Sequence, residues 1–368
     1  MTYKQWLLYI SLFFFCVSSI IFVYNNESFY KRPIAEVVET SVEDTTNVTD
    51  EYGNNDQLYQ QKIVATIKNG KYKGEHIQLA NEYSTSGAYD HAFHLGDKLF
   101  ITIDDDQTDN HLLTGSITDV KRDQYVLIVA WIFFFTLFFV GKRQGVYASV
   151  SLAVNILLLS YALDLYVATD KYLIVICAIT VIIFTTLSLL LVNGFHEKTY
   201  AAIIATLLGT FLSVFITFIA MWLTNENGLY YEEMQFLTRP YQLVFLAGLF
   251  IGSLGAVMDV AISIAAALFE MYERNNDISI QTLKKSGFDI GKDIMGTMTN
   301  ILFFAYISGS IPMLILYIKN YSPLGFTLSM NLSLEITRAL SGGIGIVITI
   351  PIGLYTTIFF IQRKRAKQ

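Results

Sequence analysis

Cysteine is nearly absent: the chain has two, Cys16 and Cys177, both inside apolar runs. That excludes a disulfide framework and a cysteine-based metal centre. Proline is scarce, with five in 368 residues, and charged residues make up only 15%. No HExxH helix, P-loop or G-x-S-x-G elbow occurs, so neither energised transport by this chain alone nor the commoner hydrolase chemistries find support. The expectation is a protein that is not an enzyme, with no cofactor, no metal and no nucleic-acid partner. What the chain does have is hydrocarbon, at 53% of residues. Several uninterrupted apolar runs are long enough to cross roughly 30 Å of bilayer as helices, with the lipid as solvent.

The net charge of −6 hides an uneven distribution, because residues 25–122 hold 17 acidic and 9 basic side chains. Residues 1–24 read as a transmembrane anchor. It is expected to stay uncleaved, because FVYNNES after the apolar run offers no small-x-small site. Residues 25–60 include EVVETSVEDTTNVTDEYGNNDQ, which is acidic and poor in large apolar side chains, so a flexible spacer is expected. In 61–122 the period changes to two: KIVATI, EHIQLA, KLFITI and SITDV are separated by turn signals at Asn69-Gly70, Ser86-Gly87 and Gly96-Asp97. This predicts a small β-barrel of OB-like type with four or five strands. The acidic run DDDQTD at 104–109 reads as a solvated turn, because it lacks a full calcium-loop spacing. His76, His91, His94 and His111 read as surface histidines; only His91 and His94 have a spacing a metal could share.

From residue 123 the chain returns to the membrane as a seven-helix domain, 123–368, with spans expected at 126–140, 146–163, 173–192, 201–223, 243–271, 294–318 and 339–362. With the anchor this makes about eight transmembrane helices, a polytopic α-helical membrane protein carrying an extracellular β-rich domain after the first helix. With a cytoplasmic N-terminus, the inner side collects twelve Lys and Arg and the short outer loops only four. The positive-inside rule then puts both termini in the cytoplasm and 25–122 outside the plasma membrane. Gly309 and Pro312 are expected to interrupt the seventh span, and Gly342, Gly343, Gly345 and Pro351 the eighth. Glu335 and Arg338, three apart, form a local ion pair or an outer gate.

The stretch 248–306 stands apart. At 100° per residue, Gly252, Gly255, Asp259, Ser263, Ala266 and Glu270 fall within about 40° of one line. Asp289, Asp293, Gly296 and Asn300 share a line on the next helix. Both stripes are expected to face inward, plausible partners for each other, because a carboxylate at mid-bilayer is costly unless it meets protein or water. Asp259 with Ser263 and Asn300 would form the central polar site of a transport path, and Glu270, Asp289 and Asp293 a cytoplasmic mouth where Asp289 and Asp293 suit a helix start. Gly252, Gly255 and Gly296 fit close helix packing. A buried hydrogen bond from Asp259 to Ser263, Thr297, Thr299 or Asn300 is the structural alternative. An aspartyl enzyme built on Asp259 and Asp293 is disfavoured, since the two are expected at different depths.

GAVMDVAISIAAALFE (255–270) followed by SGFDIGKDIMGTMTN (286–300) closely resembles the signature of the YibE/F family of bacterial multispan membrane proteins. KGEHIQLANEYS and LGDKLFITID fit its N-terminal pattern, and Lys292 stands where that pattern usually has arginine. The resemblance implies a plasma-membrane protein of Gram-positive type, often found with a similar second chain, and supplies no substrate. The expected function is a transporter or channel component for protons, cations or a small solute through Asp259. The alternative is a non-catalytic scaffold or receptor whose β-module binds a surface ligand. The expected partners are the lipid bilayer and a homologous second chain or further copies of this one.

Overall fold

The computed structural model describes residues 3–87, 90–104, 113–169, 171–234 and 240–366. The chain divides into two compact units, Met1–Leu137 and Phe138–Gln368.

In the first unit, helix α1 (Tyr3–Tyr24) leads through a 3-10 turn at Glu27–Phe29 into five strands: β1 (Ile34–Thr49), β2 (Asn55–Ile67), β3 (His76–Ser84), β4 (Lys98–Ile103) and β5 (Leu113–Val120). They close a barrel in the order β1-β2-β3-β5-β4, with β3 and β5 parallel and the other pairs antiparallel. Five strands closing in a Greek-key order match the OB-like barrel expected from the turn signals. Strand alternation builds its core: Ile63, Ala65 and Ile67 of β2 point inward with Ile77, Leu79, Leu99 and Ile101.

The spacer expected at 25–60 is not there. Its residues form β1 and the start of β2, a hairpin with a register from Ala35 opposite Ile67 to Thr49 opposite Asn55. β-Branched side chains at Val37, Val38, Thr40, Val42, Thr45, Thr46, Val48 and Thr49 favour the strand. Glu39, Glu43, Asp44, Asp50 and Glu51 sit at exposed positions, and the partly buried Glu36 pairs with Lys68 at 2.8 Å. Asp50 shapes the turn by accepting from the backbone N–H groups of Tyr52 and Asn54. His91 and His94 are exposed; His111 and the acidic run after Asp104 lie outside the described residues.

Two lysines clasp α1 to the barrel. Lys98 Nζ donates to the Tyr24 carbonyl at 2.6 Å and to Glu27 Oε1. Lys121 Nζ donates to the Val23 carbonyl at 2.8 Å and to Asp123 Oδ1 at 2.8 Å. Both therefore cap the carbonyl end of α1, where a cation meets the negative pole of the helix.

The remaining helices are α2 (Asp123–Thr169), α3 (Leu173–Asn193), α4 (Glu197–Leu223), α5 (Tyr241–Arg274), α6 (Ile280–Ser308), α7 (Ile311–Lys319) and α8 (Leu324–Arg365). Among the described residues, five helices are long and apolar enough to cross a membrane, or six when α6 and α7, bent by 55° at their junction, count as one broken span. The two spans expected at 126–140 and 146–163 lie within the 47 residues of α2, divided at Lys142 with φ 49° and ψ −122°. Helix α1 has 22 residues, a length of about 33 Å.

The break expected at Gly309 and Pro312 is where α6 stops and α7 starts. No break occurs in α8, which runs through Gly342, Gly343, Gly345 and Pro351. Two of these glycines permit close approach instead: Gly342 faces Leu302 of α6, and Gly345 faces Val257 of α5. Helices α4, α5 and α6 all pack on α8. Val260, Ile264 and Leu268 of α5 meet Ile346, Ile350, Leu354 and Ile358 of α8 in one core.

Candidate functional site

The helical period of α5 decides which way its polar stripe can face. Val257, Val260, Ala261, Ile264 and Leu268 are fully buried against the bundle, so the opposite side, with Gly255, Asp259 and Glu270, is exposed. On α6 the same sorting buries Leu283, Gly287 and Gly291 and exposes Asp289, Asp293, Gly296 and Asn300. The expectation of inward-facing stripes is therefore overturned: a larger apolar face competes for the core and wins. Ser263 is half-buried at the edge of this face.

The antiparallel packing of α5 and α6 sets the register. A side-chain carbon on Gly252 would strike Tyr306 Oη, and one on Gly287 would lie 3.3 Å from a methyl of Leu268. Taken together, the two approaches place Asp259 within about one turn of the level of Gly296. Asp293 then lies level with Ile262, and Asp289 with Ala266. By level along the helix axes, Asp259, Asp293, Asp289 and Glu270 thus follow one another in steps of about 4–6 Å, each exposed on its own helix.

This register corrects two expectations. Helix α6 starts at Ile280, capped by Ser279 Oγ accepting from the Thr282 N–H at 3.0 Å. Asp289 and Asp293 are consequently two to four turns inside the helix, away from its positive end. The argument that depth separates Asp293 from Asp259 also fails, although both face outward.

The lower acids are paired: Glu270 accepts from Arg274 at 2.7 Å, and Asp289 lies 3.9 Å from Lys292. Asp259 and Asp293 have no hydrogen-bond or ion-pair partner among the described residues. The hydroxyls considered as partners for Asp259 bond their own helix instead, Thr297 to the Ile294 carbonyl and Thr299 to that of Met295. Of the packing glycines, Gly252 makes a close contact, whereas Gly255 and Gly296 open onto free space. Glu335 and Arg338 form the local ion pair, with the guanidinium 5.2 Å over the Phe245 ring.

A second polar feature escaped the sequence reading. Thr199, Thr206, Thr210, Ser213 and Thr217 of α4 are buried, as are Ser341, Thr349 and Thr357 of α8, and the two helices pack together, with Gly209 against Thr349. Ser213 donates to the Ser341 carbonyl at 2.5 Å and Thr217 to Ser341 Oγ at 2.9 Å. The spacing of four, three and four from Thr206 to Thr217 was the available signal.

No curated protein and no solved structure matches the chain. Family models do: residues 28–120 match the YibE/F family N-terminal domain, which is the barrel with its hairpin, and residues 129–363 match the YibE/F-like protein, which spans the helices bearing the acidic ladder. Together these matches cover most of the chain, which belongs to the YibE/F family.

Proposed function

We propose that this protein is a subunit of a membrane transport assembly in which the exposed α5–α6 faces of two chains enclose a polar path for a small cation or protons. One observation carries the reading: Asp259 lies halfway along a span-capable helix and is exposed on the chain's own surface. Against lipid, a carboxylate at that depth costs about 2.5–3.5 kcal/mol on insertion scales and more in simulation. Gly255 and Gly296, with free space around them, let a second helix pair approach closely. The ladder from Glu270 to Asp259 then leads from the helix end to the bilayer centre between the two chains. In this reading the protein sits in the plasma membrane with both termini inside and the barrel outside.

Cysteines introduced at Gly255 and Gly296, in a chain with Cys16 and Cys177 replaced, test the contact. Cross-linked dimers in native membranes are expected, together with loss of cation flux in Asp259→Asn proteoliposomes. Monomers under all cross-linking conditions, or undiminished flux in Asp259→Asn, would refute the reading.

A receptor role has its own support in the barrel. A cavity of about 430 Å³ is lined by Arg32, Asn69, Lys71, Tyr72 and Ile101. Its two cations suit an anionic surface ligand. Capture of such a ligand by the full chain, abolished in Arg32→Ala/Lys71→Ala with no flux in either form, would favour this reading.

A further inference from the structure

A threonine in a membrane helix ordinarily satisfies its hydroxyl on the carbonyl one turn back. Thr180, Thr185 and Thr357 do so, at 2.8, 2.8 and 2.6 Å. Thr199, Thr206 and Thr210 of α4 and Thr349 of α8 do not: each is fully buried, and its hydroxyl has no hydrogen-bond partner. On α4 the three exceptions fall within about 40° of the line of Ser213 and Thr217, which meet Ser341 of α8 along one seam, and an unpaired buried hydroxyl is costly. The seam also has a cavity at each end. One, of about 430 Å³, is lined by His196, Glu197, Lys198, Glu270, Glu273 and Lys364. The other, of about 380 Å³, is lined by Thr217, Asn227, Ser333, Thr337 and Ser341 among others. At the first mouth, Glu197 Oε2 is buried without a partner.

We infer that the α4–α8 seam is a proton passage within a single chain, a file of hydroxyls joined by water between the two cavities. Spacing supports this. Gly353 lies opposite Ala205, with a side-chain carbon on the glycine 3.8 Å from that of Ala205, so Thr357 falls near the level of Ala201 and fills the long step between Thr199 and Thr206. The remaining gaps are at most about 8 Å, which one or two waters span at about 2.8 Å per hydrogen bond. Hydroxyls both donate and accept, so each can pass a proton along the file. No charged side chain lines the seam to replace the hydration shell of a metal ion. Gly209 approaches Thr349 Oγ1 too closely for any added methyl, so at that level the Thr349 hydroxyl itself is the link and no solute passes beside it. Glu197 is the group that exchanges protons at the first mouth.

The passage is separate from the Asp259 face, and the test keeps the two apart. Full-length protein in proteoliposomes, with the membrane potential clamped, is given a pH step and followed with an internal pH dye. Wild type is expected to pass protons, and the isosteric double variant Thr206→Val/Thr349→Val to slow them by about tenfold or more. Thr206→Ser/Thr349→Ser should keep the flux, and Thr186→Val, which removes an α3 hydroxyl bonded within its own helix, should leave it unchanged. As a direct measure of water in the seam, Thr206→Cys and Thr349→Cys in the cysteine-free chain should react with a small water-soluble thiol reagent, while Leu283→Cys, in the apolar core on α6, should not. Wild type impermeable to protons, valine variants as fast as wild type, or unreactive cysteines at both seam positions would each overturn the inference.

Discussion

Replacing Lys121 with methionine tests how α1 is fastened to the barrel. The residue is 3% exposed, and its ammonium group serves two acceptors at once, the Val23 carbonyl in the last turn of α1 and the Asp123 carboxylate. Methionine preserves the apolar stem but donates nothing, leaving a helix-end carbonyl without its cap. Each charge-assisted bond is worth about 1.5–3 kcal/mol, so the two together give about 3–6 kcal/mol. Asp123 keeps the Tyr30 hydroxyl at 2.9 Å and the Asn26 amide at 3.2 Å, and its side chain is 26% exposed, so water takes up part of the loss. The expected cost is therefore at the lower end, about 3 kcal/mol. For a domain of this size that lowers the barrel's melting temperature by about 10–20 °C. Thermal unfolding of the full chain in nanodiscs, with hydrogen exchange resolved in β4 and β5, makes the measurement. A fall below about 3 °C with unchanged exchange in both strands would show that the clasp contributes little to holding α1.

Other perturbations have equally definite outcomes. Burial opposes the Glu27 carboxylate, but the Lys98 bond, reinforced by nearby Lys121, holds it below the ordinary 4.5. A pKa depressed in the folded state gives stability that is complete above about 4.5 and is lost as pH falls below it, so Glu27→Gln should flatten the acid limb of melting temperature against pH. Asn69→Ala removes an amide that donates to the Glu27, Tyr30 and Arg32 carbonyls and accepts from the Ile34 N–H; a loss of at least about 2 kcal/mol in barrel stability is expected by denaturant titration. Gly291→Leu drives a side chain into Ile350 and should cost about 1–3 kcal/mol in the helical unit. Gly255→Leu, with open space around it, should leave that stability unchanged while abolishing the dimer cross-linked through Gly296→Cys.

Much of the architecture was readable from periodicity. KIVATI and EHIQLA alternate because one face of each strand fills the barrel, and their burial follows that alternation; in KLFITI, Leu99, Phe100 and Ile101 are all buried, at a register shift between Phe100 and Ile101. β1 was hidden by composition: its acidic residues signal solvation, and they are solvated, but on a strand whose β-branched residues and long pairing with β2 hold it extended. The carboxylate stripes were correctly placed on one line of each helix, yet a wheel says only which residues share a line. The direction that line faces depends on what the other side has to pack against, and for α5 that is α8. The depth of Asp293 was misjudged because LKKSGF looks like a linker by charge, whereas Leu283, Gly287 and Gly291 are the buried stripe of an amphipathic helix already three turns long. The α4 hydroxyls were overlooked because threonine scarcely disturbs an apolar run.

Helix α8 has 42 residues and so measures about 63 Å, twice the hydrocarbon thickness of about 30 Å. Such a rod must lean, or extend into water at its ends. It carries Ser333 at one cavity and Lys364 at the other, with three neighbouring helices resting along its length. A lean of about 10° about its centre displaces each end by about 5 Å in opposite directions. The two cavities are thereby joined mechanically through unbroken helix, without any intervening loop.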